Sequence, residues 1–337
     1  MKFATTLKIT VASCAIALSG CQNMVRDMAA SSIVSFGNTH IQPWFMASTD
    51  TDIMCAMGEG MVPMTFPMGP NIDPMIPMVT LASGMCADEK AKEEELRYIR
   101  AMRKNDVETA MDARTMQKRW LELAARRNYT GYQAAVRYFG EPGSECPDLD
   151  DRNEQLSYMF GLFGGFQAFQ TDLSNGGSAG VPLDTMPKAI KALDCLNSDE
   201  LWGLPDAIKA TVQVMMAKVD GDQAGMNEGY SKLKKAAAVG ENQGVRIVQM
   251  LEVTLYSMQG DEAKTKEAIR NHVKTIQETP ANPDLRLLDE MSTRGIRLIS
   301  DKLWTQHTGQ RTPYNQLGRF WDDSLQSNDA PDIDELL

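Results

Sequence analysis

The chain has 337 residues, 43% of them hydrophobic, and a formal charge of −11. That acidity makes the counterion-release contribution to nucleic-acid binding unfavourable and argues against phosphate backbones as partners. Beyond residue 20 no apolar segment is long enough to cross a bilayer, and the length suits one medium domain or a repeat array.

Met1, Lys2 and Lys8 form a short basic region, followed by an uncharged, mostly apolar run from Ile9 to Leu18. The run is too short for a spanning helix and fits a secretory leader. Leu18-Ser19-Gly20-Cys21 then resembles the lipobox of bacterial lipoproteins. Residues 1–20 read as a cleaved signal peptide and Cys21 as the lipidated first residue of the mature chain. Gln22 rather than Asp after the cysteine favours the outer membrane, facing the periplasm. Each buried acyl methylene would contribute about 0.8 kcal/mol of anchoring energy. Loss of Lys2 and Lys8 takes the charge to −11 − 2 = −13.

The mature chain reads as helix after helix. Met46, Met54, Met57, Met61, Met64, Met68, Met75, Met78 and Met85 crowd into one stretch beside Cys55 and Cys86. Soft thioether ligands select Cu(I), so a copper carrier is one reading. Steps of three and four from Met54 to Met68 instead describe one helical face, which is core or the lining of an adaptable groove. Asp73-Pro74 reads as a cap with proline at the first helical position, and Asp88 and Asp106 as the openings of two further helices. Arg97, Arg100, Arg103, Lys104, Arg114, Lys118, Arg119, Arg126 and Arg127 form a basic run. It is a docking surface or a solvated face interleaved with Asp106, Glu108, Asp112 and Glu122.

Glu141 to Asp150 and Ser174 to Met186 are loops. Between them Gly161, Gly164 and Gly165 sit inside a helical pattern, each costing about 1 kcal/mol relative to alanine. They signal close helix approach or the wall of a groove, with Phe160, Phe163 and Phe166 recurring around them. Gly176-Gly177-Ser178-Ala179-Gly180 matches G-x-S-x-G, but the nucleophile elbow needs a strand-to-helix turn, which an all-α chain lacks. With only His40, His272 and His307 available and no triad pattern, no catalytic role is expected.

Asp199 and Asp206 begin later helices. From Ile208 the pattern repeats at Ile247, an offset of 247 − 208 = 39 residues: Val212 with Leu251, Val214 with Val253, Met216 with Leu255, Val219 with Met258. Gly221-Asp222 recurs as Gly260-Asp261, so each unit is a helix, a break and a second helix. Asn282-Pro283 precedes a helix to about Trp304. Asp322 to Leu337 carries six acids and no bases, an acidic mobile tail from residue 321. The fold expected over 21–320 is a single all-α domain of stacked helical hairpins, a degenerate TPR-like array. Cys55, Cys86, Cys146 and Cys195 are even in number and exported, so two disulfides with three possible connectivities are expected. Nearest-neighbour pairing would clip adjacent hairpins. No Cys/His cluster has zinc spacing, and no metal or cofactor is expected.

Several stretches together resemble the TRAP-transporter-associated TPR lipoproteins, the TatT component family. These are Thr49-Asp50-Thr51-Asp52 opening a helix before Gly69-Pro70 and Pro74, QKRWLELAARRNYTGYQAAVRY from Gln117, and SYMFGLFGGFQAF from Ser157. Met186-Pro187-Lys188-Ala189 to Cys195 and Leu287 to Trp304 extend the likeness over nearly the whole mature chain. Phe163-Gly164 stands where that family commonly shows Trp-Gly. The resemblance implies an all-α lipoprotein, able to form a homotrimer, working beside a TRAP-type periplasmic solute-binding protein. It also implies a small apolar or organic-acid ligand. Because no later segment is long and apolar enough to span a bilayer, the lipid is expected to be the only membrane contact. A scaffold for envelope assembly or secretion is the alternative. The expected ligand groove is walled by Met61, Met64 and Met68 on one side and Phe160, Phe163, Gly164 and Phe166 on the other.

Overall fold

The computed structural model describes residues 23–323; residues 1–22, which include Cys21 and the expected signal peptide, lie outside them, as do residues 324–337. A first helix, α1, covers residues 23–36 and runs through a π-turn, Gly37–Ile41, into α2, Gln42–Met46. Then come α3 (Thr51–Thr65), α4 (Ile76–Arg103), α5 (Val107–Phe139), α6 (Arg152–Ser174) and α7 (Thr185–Ala192). The order closes with α8 (Leu204–Asp220), α9 (Gln223–Asn242), α10 (Ile247–Met258), α11 (Glu262–Glu278) and α12 (Arg286–Thr308). There is no strand among the described residues, and the molecule is an all-α array of stacked hairpins.

Side-chain caps set many of the starts. Asp50 accepts from the backbone N–H of Asp52 and Ile53 at 2.9 and 3.2 Å, and Asp106 from Thr109 at 3.1 Å. Asp151 caps α6 through Asn153 and Glu154 at 2.7 and 3.0 Å. The repeat shows the same device twice. Gly221 (φ +71°) and Gly260 (φ +73°) end α8 and α10 in the left-handed region that a β-carbon disfavours. Asp222 and Asp261 then cap α9 and α11 through Gly225 and Lys264, both at 3.0 Å. Ile208, Val212 and Val214 are buried, as are Ile247, Leu251 and Val253, but Val219 and Met258 reach solvent.

Other local readings need correction. Asp88 lies inside the 28-residue α4, which starts at Ile76 without a side-chain cap. Asp73 caps nothing: it is buried in a 3-10 turn, Pro70–Met75, and its carboxylate takes both Arg137 Nε and Nη2 at 2.9 and 2.8 Å. Asp199 sits in a turn, and α8 begins at Leu204, two residues before Asp206, behind Gly203. The acidic C-terminal segment is docked where it begins. Trp321 stacks on His307 at 4.0 Å, Asp322 pairs with Lys266 at 2.8 Å, and Asp323 with Arg270 at 2.6 Å. Phe320 is buried beneath them in a satellite core with Ile269, Ile296 and Leu303.

α4 and α5 form the longest hairpin, joined through Asn105 at φ +56°. α6 lies along α5 on its glycine face. A methyl on Gly161 would come within 2.3 Å of Ala135 Cβ, and one on Gly165 within 2.5 Å of the Tyr132 ring. Gly164 approaches the Asn128 carbonyl oxygen, 3.1 Å from where its Cβ would stand. The three glycines therefore answer to helix–helix packing. They let two backbones meet at a distance that side chains would prevent. The α10–α12 region is joined by a buried polar network. Arg246, fully buried, donates twice from Nη1 to Asp289 at 2.8 Å, and through Nη2 to the carbonyl oxygens of Thr275 (2.8 Å) and Thr279.

Candidate ligand cavity

A cavity of about 370 Å³ lies among α3, α4, α5, α6, α8, α10 and α12. That volume is at the lower end of the range for small-molecule sites. Its apolar lining centres on Phe166 from α6, Leu251 and Leu255 from α10, and five methionines: Met54, Met85, Met250, Met258 and Met291. Unbranched thioether side chains repack around differently shaped guests at little cost. Uncharged polar groups are interspersed, among them Gln117, Gln167, Gln170, Thr211 and Thr254. Thr211 donates to the Ala207 carbonyl at 2.8 Å, and Gln117 accepts from Arg114 at 2.6 Å, so both are already engaged by the protein.

Charged side chains line the cavity too, in internally matched pairs. Arg294 binds Glu89 through Nη2 at 2.7 Å, Asp52 through Nη1 at 2.7 Å, and the Thr51 hydroxyl. It thereby ties the start of α3 to α4 and α12. Lys92 pairs with Asp88 at 2.7 Å. Burial pushes the Lys92 ammonium down, but Asp88, with Glu95 and Glu89 behind it, outweighs burial and holds it above its ordinary range. Both cations therefore stay charged and occupied by carboxylates at neutral pH.

The cysteines pair as nearest neighbours, Cys55–Cys86 with Cα atoms 5.5 Å apart and Cys146–Cys195 at 5.3 Å. The first joins α3 to α4, and Cys55 itself lines the cavity. With these thiols in disulfides they offer no thiolate ligand to Cu(I). Among the described residues no cluster of three His, Cys, Asp or Glu could hold a metal.

The expected groove is only partly assembled. Phe166 lines the cavity, while Phe160 faces an adjoining void of about 30 Å³ with Met54, Met78 and Met291. Phe163 is buried in the main core beside Phe166, and Gly164 is spent on α5. Met61 and Met68 are directed elsewhere, packing with Ile72, Met75 and Ile76 under α1, and Met64 is 65% exposed. The methionine stripe divides along the length of the chain: Met54 is in the first turn of α3, Met61 and Met64 lie about two turns or more further along the same helix, and Met68 follows in the 3-10 segment Phe66–Met68. Only the start of that helix, at Met54 and Cys55, reaches it.

Much of the basic run is engaged within the molecule, while Lys104, Lys118 and Arg119 are exposed. Arg97 pairs with Asp112 at 2.8 Å, and Arg127 binds Glu59 and the Ser83 carbonyl. Arg100 and Arg103 reach the carbonyls of Gly309 and Gln306. The G-x-S-x-G segment is a loop folded over a buried carboxylate, Asp172, which accepts from the N–H of Ala179 and Val181 at 2.7 and 2.8 Å.

No protein-family model matches the chain, and no solved structure matches it. A stretch of 119 residues is 28% identical to a protein of Arabidopsis thaliana described as a probable phosphoribosylformylglycinamidine synthase, chloroplastic/mitochondrial. The match spans 29% of this chain and 8% of that protein. So small a share carries no statement about activity.

Proposed function

We propose that this protein is a non-catalytic, lipid-anchored periplasmic receptor that holds a small, predominantly apolar molecule in the α3–α12 cavity. In this reading it serves TRAP-type solute uptake, passing its ligand to a solute-binding protein as the TatT-like sequence features imply. One observation carries the reading: a cavity of ligand size walled by five methionines and Phe166 rather than filled by them. The charges refine the ligand class. Arg294 and Lys92 are already matched by Asp52, Glu89 and Asp88, so an organic acid would have to displace a carboxylate to find a cation. A neutral amphiphile pays no such cost, and its polar end meets the glutamines and threonines of the lining.

Filling the cavity tests the reading. Thr254→Phe projects a ring into the space from α10, and a neutral solvatochromic dye such as Nile red reports occupancy. Dye affinity should fall by roughly tenfold or more, the equivalent of about 1.4 kcal/mol, with helical circular dichroism unchanged. Val219→Phe, at an 88% exposed position on α8, is the control. Equal dye affinity in Thr254→Phe and the parent would remove the cavity from the argument.

A further inference from the structure

The outward face of the first helix carries no charged residue. From residue 23 to residue 44 the exposed positions are Asn, Met, Val, Ala, Ser, Phe, Thr, His, Pro and Trp, with no Asp, Glu, Lys or Arg among them. In a chain that is 23% charged, this is a departure. Met24, Val25, Met28, Phe36 and Trp44 are each more than half exposed. The only charged side chains of α1, Arg26 and Asp27, are bound to each other at 2.8 Å and turned partly inward, with Arg26 against Gly69. The inner face is equally definite. Ala30 is fully buried, and Ile33 and Val34 pack on Ile72, Met75 and Ile76. The helix thus has two apolar faces and one cover.

We infer that the second cover is the bilayer: α1 lies along the membrane surface, with Met24, Val25, Met28, Phe36 and Trp44 in the headgroup region. The inference rests on the lipidation of Cys21 put forward above. A single residue, Gln22, separates Cys21 from the start of the described helix, and each Cα–Cα step is about 3.8 Å. The start of α1 is therefore held within about 8 Å of the acylated residue, too short a tether to lift it clear of the surface. Ser31, Ser32 and Ser35 are interspersed on the same face. Hydroxyls among methionines, with an exposed tryptophan further along, suit a hydrated interface better than the dry centre of a contact between two protein copies. Anchoring by lipid alone leaves a protein free to tumble; a helix lying on the surface fixes its orientation.

Single-cysteine labelling tests this on the full-length, lipidated protein, because Cys21 is acylated and the other four mature cysteines are in disulfides. Ser32→Cys is labelled with an environment-sensitive fluorophore and compared with Tyr314→Cys, at a 91% exposed position. In vesicles of phosphatidylethanolamine and phosphatidylglycerol, the Ser32→Cys label should shift blue, gain intensity roughly twofold, and be quenched by brominated acyl chains. The Tyr314→Cys label should do none of these. A Ser32→Cys label quenched as readily by aqueous iodide in vesicles as in dilute detergent would overturn the inference. So would a label shielded without vesicles and exposed on dilution, which would mean that a second copy of the chain covers the face. The mass of the N-terminal peptide decides acylation separately. If Cys21 is unmodified, the label is placed at Ser32→Cys in a Cys21→Ser background, and entry of the probe into the bilayer there means that the face binds membrane unaided. If Cys21 is unmodified and the probe does not enter, both fail.

Discussion

Acid should weaken this fold through one buried histidine. His272 on α11 is fully buried, with Nδ1 2.7 Å from Gln249 Oε1 and Nε2 3.0 Å from the Thr293 hydroxyl. An amide oxygen can only accept, so the neutral ring carries its proton on Nδ1, and the single Thr293 hydroxyl proton is shared between Nε2 and the Asp289 carbonyl 3.1 Å away. Burial, and then the Arg246 guanidinium nearby, push the His272 pKa down from 6.5 to about 4. The unfolded chain therefore binds one more proton than the folded one between those two values. This contribution is intact above pH 6.5 and is lost progressively as pH falls towards 4. Linkage over that interval gives a loss of about 1 kcal/mol between pH 7 and 5.5, and of about 2 to 3 kcal/mol by pH 4.5. Urea unfolding of the parent and of His272→Gln at pH 7, 5.5 and 4.5 isolates this group from the carboxylates common to both. The parent should lose more stability than the variant by that margin. Parallel losses in the two proteins would show that His272 does not carry the acid sensitivity.

Gly161→Ala should lower the urea midpoint: a gain of about 1 kcal/mol in helix propensity is outweighed by overpacking of about 1–3 kcal/mol against Ala135. Gly164→Ala, facing the Asn128 carbonyl oxygen at 3.1 Å, should change it far less. Asp289→Ala strands the buried Arg246 guanidinium and should cost about 3–5 kcal/mol in the same assay. Unfolded, unreduced mature protein should show no labelling of Cys55, Cys86, Cys146 or Cys195. Reduction should then remove about 4 kcal/mol of chain-entropy stabilisation per bridge, for loops of 31 and 49 residues.

What the sequence made legible was local. Asp50, Asp106, Asp222 and Asp261 reach N–H groups two or three residues away, so the cap is written in the residues that form it. The 39-residue repeat was readable for the same reason, down to its Gly-Asp breaks. Asp73 misleads because its carboxylate answers to Arg137, 64 residues on, and such a partner leaves no local trace. Asp322 and Asp323 read as part of a solvated tail because their partners, Lys266 and Arg270, are equally distant. The glycines of α6 announced a close approach but could not say whether it faced a helix or a ligand. The cavity was hardest. Met54 and Phe166 stood within the expected segments, whereas Met250, Met258, Met291 and Arg294 come from repeat and closing helices whose own patterns are explained by packing. Only the stacking of seven helices brings them together.

Cys55 belongs to the cavity wall and to a covalent bond at once, and this sets an order of events. Before oxidation, α3 is held to α4 by non-covalent contacts alone, and the wall that carries Met54 is untethered to its neighbour. Under the export proposed above, the clip would close only after the chain had left a reducing compartment, and the finished wall would never meet a cytosolic pool of ligand. On the function proposed above, this order suits a collector rather than an exporter, with the site maturing on the side of the membrane where a ligand would arrive.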